Sequence, residues 1–135
     1  MYPPSLLDTD ILSGLFKKNP NILARASEYL RVHRHLNISH ITKYEILKGL
    51  KAKKATKQIK LFNRFCTAHI VLPITDDVII KAADIYASLK EHGTLISDAD
   101  ILVAAITIVN NLVLVTNNTN HFSRIRGLKL DNWKI

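Results

Sequence analysis

The amino-acid sequence predicts an α/β protein, in which helices cover both faces of a parallel β-sheet. Short apolar segments alternate along the chain with longer segments of helical periodicity. The short segments are mainly apolar, as expected for strands of a parallel sheet covered on both faces. No internal repeat, low-complexity tract or linker-like stretch interrupts the 135 residues, of which 47% are hydrophobic. We therefore expect residues 1–135 to form one domain.

The first elements follow from an apolar run and a helix cap. The segment "SLL" before Asp8 predicts the first strand. The segment "LFKKNPNILARASEYLRV" at 15–32 is predicted to be helical, with Asn19 as the N-cap and Pro20 at the first helical position. The segment "LNIS" at 36–39 then reads as the second strand.

The middle of the chain predicts two helices and a third strand. The segment "ITKYEILKGL" begins a helix in which Thr42 and Glu45 have the spacing of a capping box. A basic helix follows over residues 55–67. The apolar segment "HIVLPI" at 69–74 predicts the third strand.

The last part of the chain continues the alternation. Thr75 is placed to cap a helix that ends at the "HG" of residues 92 and 93. The segment "LISDADILVAAI" at 95–106 predicts the next helix. The fourth strand is "NLVLVT" at 111–116, and "LKL" at 128–130 predicts a fifth.

Three acids occur where predicted strands and helices meet. Asp8 follows the first strand, Glu45 lies in the helix after the second, and Asp100 opens the helix before the fourth. Parallel sheets bind ligands beyond the carboxyl ends of their strands. Acids gathered there would repel one another unless a cation joined them, and Mg²⁺ prefers such oxygen ligands. The pattern offers no His/Cys zinc ligation and suits metal-assisted phosphodiester hydrolysis.

A structural interpretation of the same acids stays open. The pairs Thr42/Glu45 and Ser97/Asp100 are each spaced as capping boxes, and Asp8 could cap the helix that follows it. Acids near helix N-termini are also favoured by the helix dipole. Each acid taken singly could therefore serve only to begin a helix.

Asp98 and Asp100 are expected to differ in role. Residues two apart on a helix point about 200° away from each other. Asp100 adjoins the apolar body of its helix and is the better inner metal ligand. Asp98, in the first turn, is better placed to act through water or as a cap.

The formal net charge of +8 is concentrated in one part of the chain. No acidic residue occurs between Glu45 and Asp76. Four cations within this span recur at helical spacing and predict one basic helix face: Lys53, Lys57, Lys60 and Arg64. Such a face could bind RNA, bind an acidic partner protein, or simply be solvated.

Other features limit the class of protein. Cys66 is the only cysteine, so a disulfide within the chain and a zinc knuckle are excluded, and a reducing cytoplasm fits. No basic leader precedes Asp8, and the longest apolar run, residues 101–106, is too short to cross a bilayer. We expect a cytoplasmic protein that does not enter the membrane. No spacing among the six histidines indicates a nuclease that relies on paired histidines.

Four segments together resemble a known family. They are "LLDTDIL", "ISHITKYEILKGL", "GTLISDADILVAAI" and "LVLVTNNTNHFSRIRGLKLDNW". In order and spacing they are similar to PIN-domain proteins, and most closely to the VapC-type ribonuclease toxins of toxin-antitoxin systems. The resemblance implies a three-layer α/β/α sandwich with a four- to five-stranded parallel sheet. It also implies a homodimer, an RNA substrate, and inhibition by an antitoxin whose tail covers the active groove.

The resemblance also implies site residues. Asp8, Glu45 and Asp100 match the family's catalytic acids, which bind Mg²⁺ or Mn²⁺. Asn118 matches a fourth acidic position, and this departure leaves a second metal site open. Asp98 is an additional acid that could compensate by binding metal directly or through water. Three hydroxyl residues are expected to orient the carboxylates: Thr9, Ser97 and Thr116. Asn118 and Thr116 are expected to position water or phosphate.

The sequence allows two functions other than a ribonuclease. A receiver-like phosphoacceptor would need an aspartate after the middle strand and a lysine after a late one, but Thr75 and Thr116 follow the relevant strands. A catalytically degenerate PIN fold that only binds RNA or protein is the stronger alternative, because Asn118 carries no charge. Metal-dependent cleavage would distinguish it from the enzyme.

Overall fold

The computed structural model describes residues 2–135, and it contains a five-stranded parallel sheet flanked by seven helices. The strands lie in the order β3-β2-β1-β4-β5, and each neighbouring pair is parallel. The strands are β1 (Ser5–Leu7), β2 (Asn37–Ser39), β3 (Ile70–Leu72), β4 (Val113–Val115) and β5 (Lys129–Asp131). The predicted fold class and the fifth strand are confirmed.

The helices cover both faces of this sheet. They are α1 (Thr9–Phe16), α2 (Pro20–His33), α3 (His40–Ala52), α4 (Thr56–Ala68), α5 (Asp76–Glu91), α6 (Asp98–Val109) and α7 (Thr119–Phe122). Three predicted N-caps are confirmed by side-chain hydrogen bonds: Asn19 for α2, Thr75 for α5 and Ser97 for α6. No helix within residues 2–135 is long and apolar enough to cross a bilayer.

Adjacent residues of the central strands face opposite layers, because side chains alternate along a strand. Leu6 of β1 and Leu114 of β4 belong to the core formed with α5 and α6. The next residues, Leu7 and Val115, belong to the core formed with α1 and α2, which Trp133 completes. The two cores explain why adjacent residues of these strands are both apolar.

The helix predicted over residues 15–32 is two helices in the structure. The chain leaves α1 after Phe16, and Lys18 adopts a left-handed backbone conformation with φ of 61°. Asn19 then caps α2, which begins at Pro20. The predicted start at Pro20 is confirmed, and the prediction was wrong only in including residues 17 and 18, which form the turn between α1 and α2.

The predicted capping box at the start of α3 is also wrong. The N-cap is Ser39, whose hydroxyl accepts a hydrogen bond from the backbone N–H of Thr42 at 3.1 Å. Thr42 is fully buried inside the first turn. Glu45 therefore has no capping role at the N-terminus of α3, and its carboxylate is available for other contacts.

The basic helix face is interrupted. Lys53 is the C-cap of α3, and Lys54 has a left-handed φ of 55°. Helix α4 begins only at Thr56 and carries the remaining three predicted cations, all exposed: Lys57, Lys60 and Arg64. The prediction that Lys53 shares their helix was wrong, because the spacing alone did not reveal the turn.

Candidate active site

The candidate site lies at the carboxyl ends of β2, β1 and β4, the three neighbouring strands at the middle of the sheet. Asp8 directly follows β1, and Thr116 directly follows β4. Helix α3 starts where β2 ends and carries Glu45. Helix α6 leads back into β4, so its first turn, with Asp100, lies at the same edge.

The carboxylate of Asp8 is the most buried acid of this edge, with only 8% of the residue exposed. One of its oxygens, Oδ1, accepts a hydrogen bond from the backbone N–H of Thr9 at 2.9 Å. The other, Oδ2, accepts one from the hydroxyl of Thr116 at 2.9 Å. Asp8 is therefore the N-cap of α1, as one interpretation proposed, and is also tied to the end of β4.

The pKa of Asp8 is raised from 3.8 to about 7, chiefly by burial and secondly by the nearby carboxylate of Asp10. Asp100 contributes to the same increase. The hydrogen bonds from Thr9 and Thr116 act in the opposite direction, since they favour the charged form. Asp8 thus lies within electrostatic range of two other acids, with no cationic side chain among the causes of its shift.

Thr9 connects Glu45 to this edge. Its hydroxyl donates to Oε1 of Glu45 at 2.6 Å. The hydroxyl oxygen of Thr9 also lies 2.9 Å from the hydroxyl oxygen of Thr42. Because a threonine hydroxyl has one hydrogen, Thr42 must be the donor in that second contact. These two hydrogen bonds link Thr42, Thr9 and Glu45, and Thr9 directly follows Asp8 in sequence.

Asp100 has its own partner, His121 of α7. The Nε2 atom of His121 lies 3.0 Å from Oδ2 of Asp100, and both side chains are partly buried. The backbone N–H of Asp100 donates to the hydroxyl of Ser97 at 3.2 Å. Ser97 therefore caps α6. The carboxylate of Asp100 is held separately, by His121 of α7.

The structure brings some predicted residues together and leaves others apart. Asp98 begins α6 and is exposed. The backbone N–H of Asn118 donates to the hydroxyl of Thr116 at 3.0 Å, while its side chain makes no capping bond to α7. Of the predicted residues, Thr9 and Thr116 hydrogen-bond Asp8 and Asp100 lies within electrostatic range of it, while Glu45 is linked to Asp8 only through Thr9.

Comparison with known proteins assigns the family. The PIN-domain profile matches residues 5–128, which is most of the chain.

This chain is a PIN-domain protein.

Its relatives include ribonuclease VapC1 of Methanocaldococcus jannaschii, which is 35% identical over 93% of this chain and 85% of its own. The tRNA(fMet)-specific endonuclease VapC of Salmonella typhimurium is 28% identical, covering 95% of this chain and 96% of its own. The resemblance to VapC-type proteins found in the sequence is thereby confirmed.

Solved structures agree with this assignment. The VapBC2 complex of Rickettsia felis, bound to a DNA fragment from its promoter, contains a chain that superposes with a TM-score of 0.82. That chain is 29% identical, and the alignment covers 96% of this chain and 98% of that one. The α/β/α architecture of this PIN domain is therefore that of chains found in VapBC toxin-antitoxin complexes.

PIN-domain nucleases of the VapC type generally depend on a divalent metal ion. The donor set of this PIN domain is chemically suitable, because hard divalent cations prefer carboxylate oxygens. A bound cation would also relieve the repulsion that raises the pKa of Asp8. Within residues 2–135, however, no three acidic, histidine or cysteine side chains are already close enough to hold a metal ion. The acids share one edge of the sheet without forming a closed ligand set.

A groove of about 630 Å³ opens beside Thr9 and Glu45 of the PIN domain, between α1, α3 and α4. Its walls are mainly apolar and include Phe16 and Leu61, which are 45% and 53% exposed. The lining also contains Lys53, the cation that the sequence had placed on the basic helix face. The groove is therefore mainly apolar, and the candidate catalytic acid Glu45 is one of its lining residues.

Sequence reasoning missed two side chains of the site. Asp10 accepts a hydrogen bond from the backbone N–H of Asn117 at 3.0 Å and raises the pKa of Asp8. Its position two residues after Asp8 was visible in the sequence. His121 was noted only as a neighbour of the fourth segment, and nothing in its spacing predicts a contact with Asp100, which lies 21 residues earlier.

Proposed function

We propose that this chain is a Mg²⁺- or Mn²⁺-dependent endoribonuclease, the toxin of a VapBC-type toxin-antitoxin pair, and that residues 1–135 form its single domain. One observation carries the proposal: Asp8 is buried at the sheet edge, within electrostatic range of Asp10 and Asp100, with its pKa raised to about 7, and the next residue, Thr9, is hydrogen-bonded to Glu45. The names of the relatives, ribonuclease VapC1 and tRNA(fMet)-specific endonuclease VapC, support RNA as the substrate.

Asp8 and Asp100 would hold the metal ion directly, and Glu45 and Asp98 would hold it directly or through water. Thr9 and Thr116 hold the carboxylates of Glu45 and Asp8 by donating hydrogen bonds. The amide of Asn118 positions water or phosphate. A divalent ion, when bound, lowers the pKa of a coordinated water and offsets the charge of the scissile phosphate.

The reaction needs no covalent enzyme intermediate, since water attacks phosphorus in line. The protein must therefore hold its carboxylates in place and keep them ionised. Burial of Asp8 opposes ionisation, while its two hydrogen bonds favour it. Ser97 contributes by capping α6, which holds the backbone of Asp100 at the edge.

The decisive experiment measures cleavage of bulk tRNA and rRNA fragments by the purified protein with Mg²⁺, with Mn²⁺ and with excess EDTA. We expect cleavage with either ion and none with EDTA. The variant Asp8→Asn should be inactive while its circular dichroism spectrum remains that of the native chain. Cleavage that persists in EDTA would contradict metal dependence.

The alternative is a degenerate PIN fold that binds RNA or protein without cleaving it. It is favoured by the neutral Asn118 and by the absence, within residues 2–135, of three converging metal-ligating side chains. Binding of RNA with no cleavage under any metal condition would select this alternative. Sequencing of RNA ends after induction in cells would identify the target if cleavage occurs.

The proposed partners are an antitoxin and a second copy of the chain. The apolar groove beside Glu45 suits an antitoxin segment, with Lys53 available to acidic residues. Exposed Ile79 and Ile80 on α5, at 51% and 62%, provide apolar surface for a homodimer. Light scattering of the protein alone and with its antitoxin tests both, and a monomer at working concentration would contradict the dimer. We place the activity in the cytoplasm, where RNA substrates occur.

A further inference from the structure

A second basic pocket lies on the opposite layer of the molecule from the predicted cations of α4. It has a volume of about 360 Å³ and is formed by the second half of α5 and the loop that follows α7. Its cations are Lys81, Arg124 and Arg126, and its other polar side chains are Asp84 and Ser88. The pocket therefore has an excess of positive charge and is of nucleotide size.

The base of this pocket is firmly held. Ile85 and Leu89 of α5 and Ile125 of the loop line it, and all three belong to the core beneath the sheet. The loop turns on a hydrogen bond from the backbone N–H of Ile125 to the carbonyl of Phe122, at 3.1 Å. Arg124 and Arg126 flank the buried Ile125, so both guanidinium groups are carried by an anchored segment.

The cations of this pocket form no ion pair within residues 2–135. Arg124 and Arg126 are exposed, and Lys81 is partly buried. Within residues 2–135 the ion pairs join other residues, Arg25 with Asp131 and His121 with Asp100. An arginine fork that is free and exposed matches a phosphate group in geometry and in charge.

The pocket adjoins the candidate active site through α7. Arg124 follows His121 by three residues, and His121 contacts Asp100. Three peptide units span at most about 11 Å between Cα atoms. An RNA strand whose scissile phosphate lay at the carboxylates could therefore extend a few nucleotides and reach Arg124.

We propose that Lys81, Arg124 and Arg126 form a binding site for the backbone phosphates of the RNA substrate, next to the site of cleavage. The proposal rests on the proposed ribonuclease function and assigns the course of the RNA on the protein. RNA is favoured over an acidic peptide because Arg124 lies only three residues from His121, which contacts the candidate catalytic acid Asp100. The site contributes affinity and positioning, and it has no part in bond cleavage.

The test compares two double variants with equal loss of charge. In Arg124→Gln/Arg126→Gln the pocket loses its forks. In Arg31→Gln/Arg34→Gln the same charge is removed from the end of α2, on the opposite layer. Binding of oligouridylate is measured in EDTA as a function of salt, and cleavage of tRNA is measured with Mg²⁺.

The pocket variant should bind oligouridylate about tenfold more weakly, and its salt slope should fall by about 1 to 1.5, as expected for two lost phosphate contacts on a single strand. Its KM for tRNA should rise with kcat nearly unchanged, and a dinucleotide too short to reach the pocket should be cleaved as by the native chain. The α2 variant should resemble the native chain in every measurement.

Three results would overturn the proposal. They are equal RNA binding by the pocket variant and the native chain, an equal loss in the α2 variant, and loss of antitoxin binding with RNA binding intact. The last would identify the pocket as a site for an acidic peptide. Failure of the proposed function is a separate result, because it would appear as absent cleavage by the native chain with every metal.

Discussion

The acids around Asp8 and the cations of α4 differ in how the fold uses them. Asp8 is 8% exposed, has a hydrogen bond to each carboxylate oxygen, and has a strongly raised pKa. Lys57, Lys60 and Arg64 are exposed on one helix, and the ion pairs within residues 2–135 do not include them. Burying the carboxylate of Asp8 costs free energy of folding, whereas the exposed cations of α4 remain solvated at no such cost. Substitutions should therefore have large effects in the first region and small effects in the second.

The largest expected contrast is between two acids of the same helix turn. Asp100→Asn should lower cleavage by at least about 10³-fold, because it removes a charge that faces Asp8. Asp98→Asn should cost much less, because Asp98 is exposed. Single-turnover cleavage rates with Mg²⁺ measure both. Equal losses would show that Asp98 is as essential as Asp100.

A stability measurement separates the cost of the buried acid from its use. The pKa of Asp8 is raised in the folded state, so the ionised form destabilises the fold. The free energy of unfolding should therefore decrease as pH rises from about 4 to about 7, by at most about 4 kcal/mol from this group. Asp8→Asn should be more stable than the native chain near pH 8 in EDTA.

The comparison at acid pH is the internal control. Near pH 4 Asp8 is protonated in the folded state, and the variant and the native chain should unfold at similar urea concentrations. A variant that is less stable than the native chain near pH 8 would show that the two hydrogen bonds outweigh burial and repulsion.

Breaking the link between Thr9 and Glu45 should have an intermediate effect. Thr9→Val removes the hydroxyl that donates to Glu45 and accepts from the buried Thr42. We expect cleavage to fall by about 10- to 100-fold, as for other residues that orient metal ligands. Thr9→Ser keeps the hydroxyl and should retain most of the activity, so a serine variant as defective as valine would contradict the orienting role.

His121 can be tested in the same way. His121→Ala should lower kcat by about 10- to 100-fold with little change in KM, because it releases the carboxylate of Asp100 without removing an RNA contact. His121→Gln keeps a donor and should recover part of the rate. A change confined to KM would indicate that His121 contacts RNA.

The smallest effect is expected for the cations of α4. Replacing Lys57, Lys60 and Arg64 together by Gln should reduce the salt slope of RNA binding by less than about 1, since separate exposed cations need not contact phosphate. Lys53→Gln should have the larger effect on antitoxin binding, because Lys53 lines the groove. A strong loss of RNA affinity in the triple variant would restore this helix face as an RNA-binding surface.

Local pattern predicted most of the fold. The short apolar runs predicted five strands, and Asn19, Thr75 and Ser97 cap the helices that the sequence assigns to them. These signals act over a few residues, through side-chain alternation and backbone N–H groups that need acceptors. The same local view included residues 17 and 18 in a helical segment and placed Lys53 on α4, because periodicity alone does not reveal a turn with a left-handed lysine.

The amino-acid sequence alone determined which acids follow or precede the strands and which chemistry they can support. Both depend only on residue type and on the order of the elements along the chain. The tertiary structure decided their partners: Thr9 for Glu45, Thr116 for Asp8 and His121 for Asp100. These contacts depend on β2, β1 and β4 lying side by side and on the first turn of α6 reaching the same edge. Residues more than a hundred positions apart, such as Asp8 and Thr116, meet only when the whole sheet has formed.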